Sequence, residues 1–244
     1  VLATLRSWLI IAPSIAVTTA ICGTLSWLFA LLDSSGRKPH RIAQFWARLL
    51  LRIGGVRVRV EGLEHLEAGG AYVFASNHLS LMDTPLVLAN IPVQFRFLAK
   101  RSLYKVPFIG SHLRRAGHIP VERENPRASL RTLAEAARIV RERGVSVLVF
   151  PEGSRSRGQL GRFKEGAAYI AIKAGVPLVP LGIQGTHKIL PAGSLTVRPG
   201  PAILRVGHPI PTTHLSAHEH RRLTALVRER VAELIGAAPS RATA

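Results

Sequence analysis

Thirteen residues near the middle of the chain, Gly144–Ser156 (GVSVLVFPEGSRS), pass abruptly from apolar to polar. Between Val145 and Phe150 only Ser146 is polar, so the run has no solvent face and reads as a buried strand. The polar turn that follows sits at the strand's C-terminal end, the edge at which α/β sheets bind ligands. Upstream, Asn125-Pro126 is a helix start, with Asn as cap and Pro in the first turn. That helix is expected to bury Leu130, Leu133, Ala134, Ala137 and Val140 and to stop at Gly144. Downstream, FKEGAAYIAIKAG (Phe163–Gly175) reads as a helix and LVPLGIQ (Leu178–Gln184) as the next strand. Helix and strand alternate, which makes the body α/β. VRVRVE (Val56–Glu61) alternates like a half-buried strand; AYVFAS (Ala71–Ser76) and AILRVG (Ala202–Gly207) are further strands. Ser216 and Glu219 form a capping-box pattern ahead of a last helix that presents Leu223, Leu226, Val227, Val231, Leu234 and Ile235 to the core. With no internal repeat and no long linker, residues 56–236 are expected to form one domain, and 237–244 a flexible tail.

The totals restrict the partners. Of 244 residues 47% are hydrophobic, enough for a real core. Lys and Arg number 33 against 14 Asp and Glu, a net charge of +19 that favours an anionic partner. Few aromatics lie among the basic residues, and no helix-turn-helix or zinc-finger spacing occurs, so no nucleic-acid partner is expected. A single cysteine, Cys22, excludes an internal disulfide and a cysteine metal cage, and it reads as an inert apolar residue. Met82 is the only methionine, so the true start is expected to be trimmed or encoded by an alternative codon.

The first 55 residues point to a membrane. Trp8–Leu32 carries no charge and as a helix would extend roughly 37 Å. It is too long for the apolar core of a secretory signal. In the following KPHRIAQFWARLLLRIGG, Arg41, Gln44, Arg48 and Arg52 recur at helical spacing, with Ile42, Phe45, Trp46, Leu49, Leu50 and Ile53 opposite. A basic amphipathic helix of this kind suits an anionic bilayer surface, and the uncharged run just before it favours that reading over packing on the protein's own core. Basic residues flank the apolar run on both sides, so a single span and a hairpin dipping into one leaflet fit equally.

Four stretches carry chemistry. In NHLSLMD (Asn77–Asp83), His78 and Asp83 would lie about 140° apart on a regular helix, but a strand ending at Ser76 and a helix opening at Asp83 put His78 on a loop that can fold back. One Asp83 oxygen would then hold His78 Nδ1–H while the other caps the helix, leaving Nε2 as a base. An ordinary polar turn is the plainer reading of that pair alone. GHIPVER (Gly117–Arg123) is the second stretch and FPEGSRS (Phe150–Ser156) the third. There Gly153 admits close backbone approach, Arg155 offers a two-pronged fork to phosphate, and Glu152 orders that arginine or holds a ligand hydroxyl. The fourth, VPLVP (Val176–Pro180), is an apolar wall with two prolines. His214 and His218, four apart, lack the glutamate of a zinc helix, and no metal site is expected.

In order and spacing these four stretches resemble the hallmark of the 1-acylglycerol-3-phosphate acyltransferase family, over about Val56–Pro211. The family's commoner Thr is Ser154 here, and AKRSL (Ala99–Leu103) lacks the acidic residue of the family's Lys-Lys-Glu-Leu, though it keeps Lys100. The resemblance implies a single α/β domain with a central mixed sheet flanked by helices, behind an N-terminal membrane-associated segment. It implies acyl transfer from acyl-CoA or acyl carrier protein to the sn-2 hydroxyl of lysophosphatidic acid, without a resident cofactor. His78 is the implied base and Asp83 its partner, with Ser80 no nucleophile. Arg123, Glu152, Gly153, Ser154, Arg155 and Lys100 are the implied phosphate and glycerol contacts. Other lysolipids, lyso-ornithine lipid and glycerol phosphate are alternative acceptors. The implied location is the inner membrane with the site facing the cytoplasm. The reading from another class is a non-catalytic basic protein that binds anionic lipid.

Overall fold

The computed structural model describes residues 2–33, 35–122, 126–156 and 158–236. Arg123 and the expected cap Asn125 lie outside the described residues, as does the expected tail at 237–244. One long helix opens the chain: α1 (Leu2–Arg6), a π-helical turn at Ser7–Ile11, and α2 (Ala12–Leu31). Next come α3 (Arg37–Gly54), β1 (Val56–Glu61), β2 (Val73–Ser76), α4 (Asp83–Asn90), β3 (Phe95–Lys100), α5 (Ile109–Arg115) and β4 (Ile119–Val121). The remainder is α6 (Pro126–Arg143), β5 (Ser146–Val149), α7 (Gly166–Ala174), β6 (Leu178–Gln184), α8 (Thr186–Ile189), β7 (Gly200–Val206) and α9 (His220–Gly236).

The seven strands form one sheet in the order β1-β7-β6-β2-β5-β3-β4. Strands β6, β2, β5, β3 and β4 are mutually parallel; β7 runs antiparallel to β6 and carries β1 parallel to itself. The sheet is therefore mixed, as expected. Its two faces explain the unbroken apolar strands. Phe74 and Leu148 point into a core shared with α3 and α4, while Val73, Ala75, Val147 and Val149 point into a second core under α6, α7 and α9. A strand covered on both sides leaves little room for polar residues, and the buried Ser76 and Ser146 stand at the strand ends.

Three expectations are corrected in detail. Leu130 is exposed, and Ala136 takes the place beside Ala137 and Val140 in the core. The helix expected from Phe163 begins only at Gly166. The third difference is in α3, whose buried seam runs through Ala43, Ala47, Leu50, Leu51 and Gly54, leaving Phe45 exposed. Small residues on that seam allow close approach to α4. Two of its polar residues also bind inward: Arg48 Nε donates to Ala89 O (3.2 Å) and Gln44 Nε2 to Ile91 O (3.1 Å), at the otherwise open C-terminal end of α4. Thus α3, expected at a bilayer surface, packs on the body's core.

The first helix is bound along its length. Ser7 Oγ accepts from Val197 N (2.9 Å), Arg6 donates to Ile53 O (3.2 Å), Thr19 Oγ1 accepts from Trp46 Nε1 (3.1 Å), and Ser26 Oγ meets His112 Nδ1 (2.7 Å). Leu2–Leu31 is the described helix long and apolar enough to cross a membrane. Its inward positions are Ser7, Ile11, Cys22 and Ser26, while Trp8, Leu9, Ile10, Val17, Ile21, Leu25, Leu28 and Phe29 are exposed.

Candidate active site

The parallel strands converge the sequence motifs. His78 follows β2, Pro151 and Glu152 follow β5, Lys100 ends β3, and Val121 of the second motif ends β4. These four strands are neighbours and parallel, so all four ends lie on one edge of the sheet.

The loop Asn77–Met82 is held from several sides. Asn77 is buried and bonds both Ile183 O (2.9 Å) and Ile183 N (2.8 Å), locking the loop to β6. Asp83, the first residue of α4, is 0% exposed. Its Oδ2 accepts from Leu79 N (2.6 Å) and Ser80 N (2.8 Å) and bonds His78 Nδ1 at 2.8 Å. Oδ1 has no hydrogen-bond partner among the described residues. The expected division of labour between the two oxygens is therefore wrong: one oxygen holds both the histidine and the turn, and the carboxylate reaches back to the loop instead of capping the helix. An oxygen that already receives two amide N–H groups is an acceptor, so His78 Nδ1 must carry the hydrogen. That leaves the lone pair on Nε2, which bonds to nothing among the described residues. Phe150 stacks on the imidazole, with centroids 4.1 Å apart and planes at 18°. The His78 side chain is 15% exposed, enough for a reactant to reach it. Ser80 is buried and its Oγ donates to Leu190 O (2.6 Å), a structural role.

Glu152 differs from its expected part. Oε1 accepts from His78 N (2.7 Å) and Oε2 from Gly161 N (2.9 Å). It ties the histidine loop to the segment after β5, and Arg155 is not its partner. Ser156 adds a bond from its N to His78 O (2.7 Å). Gly153 has φ +77°, a conformation suited to glycine, and a Cβ there would lie 3.2 Å from Lys164 Nζ. Arg155 is exposed and makes no ion pair among the described residues. Lys100 is also exposed.

Two clefts flank the segment after β5. One, of about 920 Å³, is lined by Glu152, Ser154, Ser156, Arg162, Lys164 and Tyr169 among others. The other, of about 380 Å³, is mostly apolar, with Asn77, Leu79, Leu160, Ile183 and Ile203 in its wall. Lys164 has no sequence signal as a site residue, because it falls in a helical pattern whose helix starts two residues later. Phe150 belongs to the FPEGSRS stretch, but nothing in the sequence marks its stacking on His78. Among the described residues no group of three or more His, Cys, Asp or Glu is placed to hold a metal ion.

Comparison with known proteins agrees with this geometry. The sequence model of the Acyltransferase family matches residues 57–184. A 1-acyl-sn-glycerol-3-phosphate acyltransferase of Limnanthes douglasii is 34% identical over 165 residues, 67% of this chain and 58% of the relative. The chain spans about half the length of the plant relatives it matches. The enzyme of that name from Escherichia coli is 28% identical over 93% of this chain and 92% of its own length. The crystal structure of the 1-acyl-sn-glycerophosphate acyltransferase PlsC from Thermotoga maritima superposes with a TM-score of 0.78 at 28% identity, covering 98% of this chain and 97% of that one. The family match takes in the histidine loop, the second motif and the FPEGSRS edge, more than half of the sequence, and the chain belongs to the acyltransferase family.

Proposed function

We propose that this chain is a membrane-attached enzyme that transfers a fatty acyl group from an acyl thioester to the sn-2 hydroxyl of 1-acylglycerol-3-phosphate, giving phosphatidic acid. The observation that carries the reading is the buried Asp83 carboxylate on His78 Nδ1, which orients the ring and leaves Nε2 without a partner among the described residues at the parallel edge of the sheet. In the proposed reaction Nε2 takes the hydroxyl proton as that oxygen attacks the thioester carbonyl. The C–S bond then breaks, and the imidazolium returns the proton to the departing thiolate. Asp83 steadies the imidazolium. The thioester is already activated, so a positioned base worth roughly 10²–10⁴-fold suffices without a covalent acyl-enzyme or a cofactor. Arg155 and Lys164, with Arg123 and Lys100, are the proposed cations for the acceptor phosphate, and Gly153 and Ser154 the proposed contacts of its edge. Glu152 acts by positioning. Acyl-CoA and acyl carrier protein are both anionic and both suit a surface of net charge +19.

The attachment reading rests on an inverted helix. Its small polar residues face the protein and its large apolar ones face outward, an arrangement unfavourable in water and favourable against lipid. Because the helix is tied to the body near both ends, we place it in one leaflet of the inner membrane, with the site on the cytoplasmic side. Residues 1–55 form the proposed anchor and 56–236 the acyltransferase domain, although α3 also serves the core.

The test supplies purified protein in anionic vesicles with acyl-CoA or acyl carrier protein donor and a panel of acceptors: lysophosphatidic acid, glycerol phosphate, lysophosphatidylcholine and lyso-ornithine lipid. Phosphatidic acid is the expected main product. Transfer only to another acceptor would reassign the substrate. Vesicle binding with no transfer to any of them would favour the non-catalytic lipid-binding reading.

A further inference from the structure

The segment after β3 carries a surface that the proposed reaction does not use. Leu103, Val106 and Phe108 are 43%, 39% and 45% exposed, on a stretch of the sequence, LYKVPF, that is otherwise apolar except for Lys105. Phe108 is the only non-glycine residue with positive φ among the described residues, at φ +60° and ψ −49°. Ile109 N donates to Pro107 O at 2.6 Å, so Phe108 is the apex of a γ-turn of the rare, strained form. A glycine would adopt this turn freely; the chain instead holds an exposed phenyl ring there, and backbone strain of this sort persists at places where a side chain must be aimed.

This patch is continuous with the outward face of the first helix. A Cβ on Gly23 would lie 2.7 Å from Phe108 Cβ, so the turn rests directly on α2. Close by, Ser26 bonds His112 of α5, and the Arg115 guanidinium stands 5.2 Å over the Trp27 ring. Lys105 is exposed within the apolar stretch, and Arg114 of α5 is turned toward it by a bond to Tyr104 O (2.6 Å). An exposed apolar tip with cations beside it matches an anionic bilayer, with acyl chains below and phosphates at the rim.

We propose that Leu103–Phe108 is a second bilayer-inserting element, which enters the same leaflet as α2 and fixes the body's tilt on the membrane. The inference rests on the membrane attachment proposed above. It also has a consequence for the site, because the element starts three residues after Lys100 at the sheet edge. A second anchor beside the helix, close in sequence to Lys100, holds the edge at a set height over the headgroups, where a helix alone would leave the body free to roll about the helix axis.

The experiment uses the full chain and vesicles of phosphatidylcholine with 30 mol% phosphatidylglycerol, in two measurements. First, Phe108→Gly removes the ring at a backbone conformation suited to glycine, so the melting temperature is expected to hold or rise. Vesicle partitioning should fall about tenfold, the order expected for withdrawing one aromatic ring from lipid. Second, in a Cys22→Ala background, an environment-sensitive fluorophore is attached at Val106→Cys, or at Arg141→Cys on α6 as a control. The label at 106 should shift to the blue on vesicle addition and be quenched by brominated acyl chains, while that at 141 should do neither. Wild-type protein that does not bind vesicles would sink the attachment reading itself. Wild-type binding with an unshifted label at 106 and undiminished partitioning of Phe108→Gly would leave attachment standing and overturn the second element. A change in oligomeric state of Phe108→Gly by light scattering, with partitioning unchanged, would also overturn it and assign the patch to self-association.

Discussion

A single carboxylate oxygen organises the candidate site at the scale of the residue. Asp83 Oδ2 fixes the histidine and both amides of the turn before α4, so the tautomer of His78 and the shape of its loop are set together. Asp83→Asn breaks that arrangement, since an amide cannot present one acceptor to three donors and keep its NH₂ group satisfied in the same buried space. Turnover is expected to fall by at least about a hundredfold and the melting temperature to fall with it. Unchanged stability with lost turnover would mean that the turn does not depend on Oδ2. The proposed phosphate contacts are a separate matter. Arg155 is exposed and Lys164 lines the larger cleft beside Gly153. Losing a charge-assisted bond of about 1.5–3 kcal/mol should raise KM for lysophosphatidic acid roughly ten- to a hundredfold in Arg155→Ala and in Lys164→Ala. Arg155→Lys should recover part of this, a point charge replacing a fork. An acceptor without a phosphate monoester should be spared; equal damage to both acceptors would make these residues structural.

At the scale of the element, most of the sheet was legible and the helix packing was not. Short apolar runs broken by polar turns mark β2 and β5 directly, because a strand buried on two faces tolerates no other composition. The position of α3 is misleading in the sequence, since an apolar stripe fits a bilayer as well as a protein core and the uncharged run ahead of it points to the bilayer. Lys164 was hidden by a helical periodicity that runs past the helix start, and the turn at Phe108 carries none of the Gly, Asn or Asp signals that announce positive φ. Packing also created a buried histidine cluster that sequence spacing could not reveal. His112 on α5 bonds Ser26 on α2, and its ring lies 5.4 Å from that of His118, whose Nδ1 accepts from Phe97 N (2.9 Å). Burial first, and then the Arg96 guanidinium, lower the His112 pKa to about 4. Burial and the same neighbours hold His118 well below the usual range and lower His40 to about 3. Between about pH 6.5 and 4 the unfolded chain binds more protons than the folded one, so stability is full above 6.5 and is lost as the pH falls through this window. For His112 alone the shift corresponds to about 3 kcal/mol. The denaturation midpoint is expected to drop steeply from pH 7 to 4.5, and less steeply in His112→Gln. Equal slopes in the two proteins would show that the cluster does not couple α2 and α5 to pH.

At the scale of the whole molecule, the five parallel strands bring motifs from distant parts of the sequence to one edge, and the reversed β7 and β1 close the far side of the sheet. In the proposed function the apolar first helix, tied along that body, is the place to meet a lipid acceptor that does not leave the bilayer, and a net charge of +19 favours anionic surfaces. Within this arrangement His78 is proposed to perform the proton transfer. The most direct measurement is the turnover of lysophosphatidic acid to phosphatidic acid in anionic vesicles by wild-type protein and by His78→Ala, with vesicle partitioning and melting temperature recorded for both. The predicted result is a loss of roughly 10²–10⁴-fold in kcat with partitioning and stability unchanged. Turnover within a few-fold of wild type, in an equally stable and equally bound variant, would contradict it.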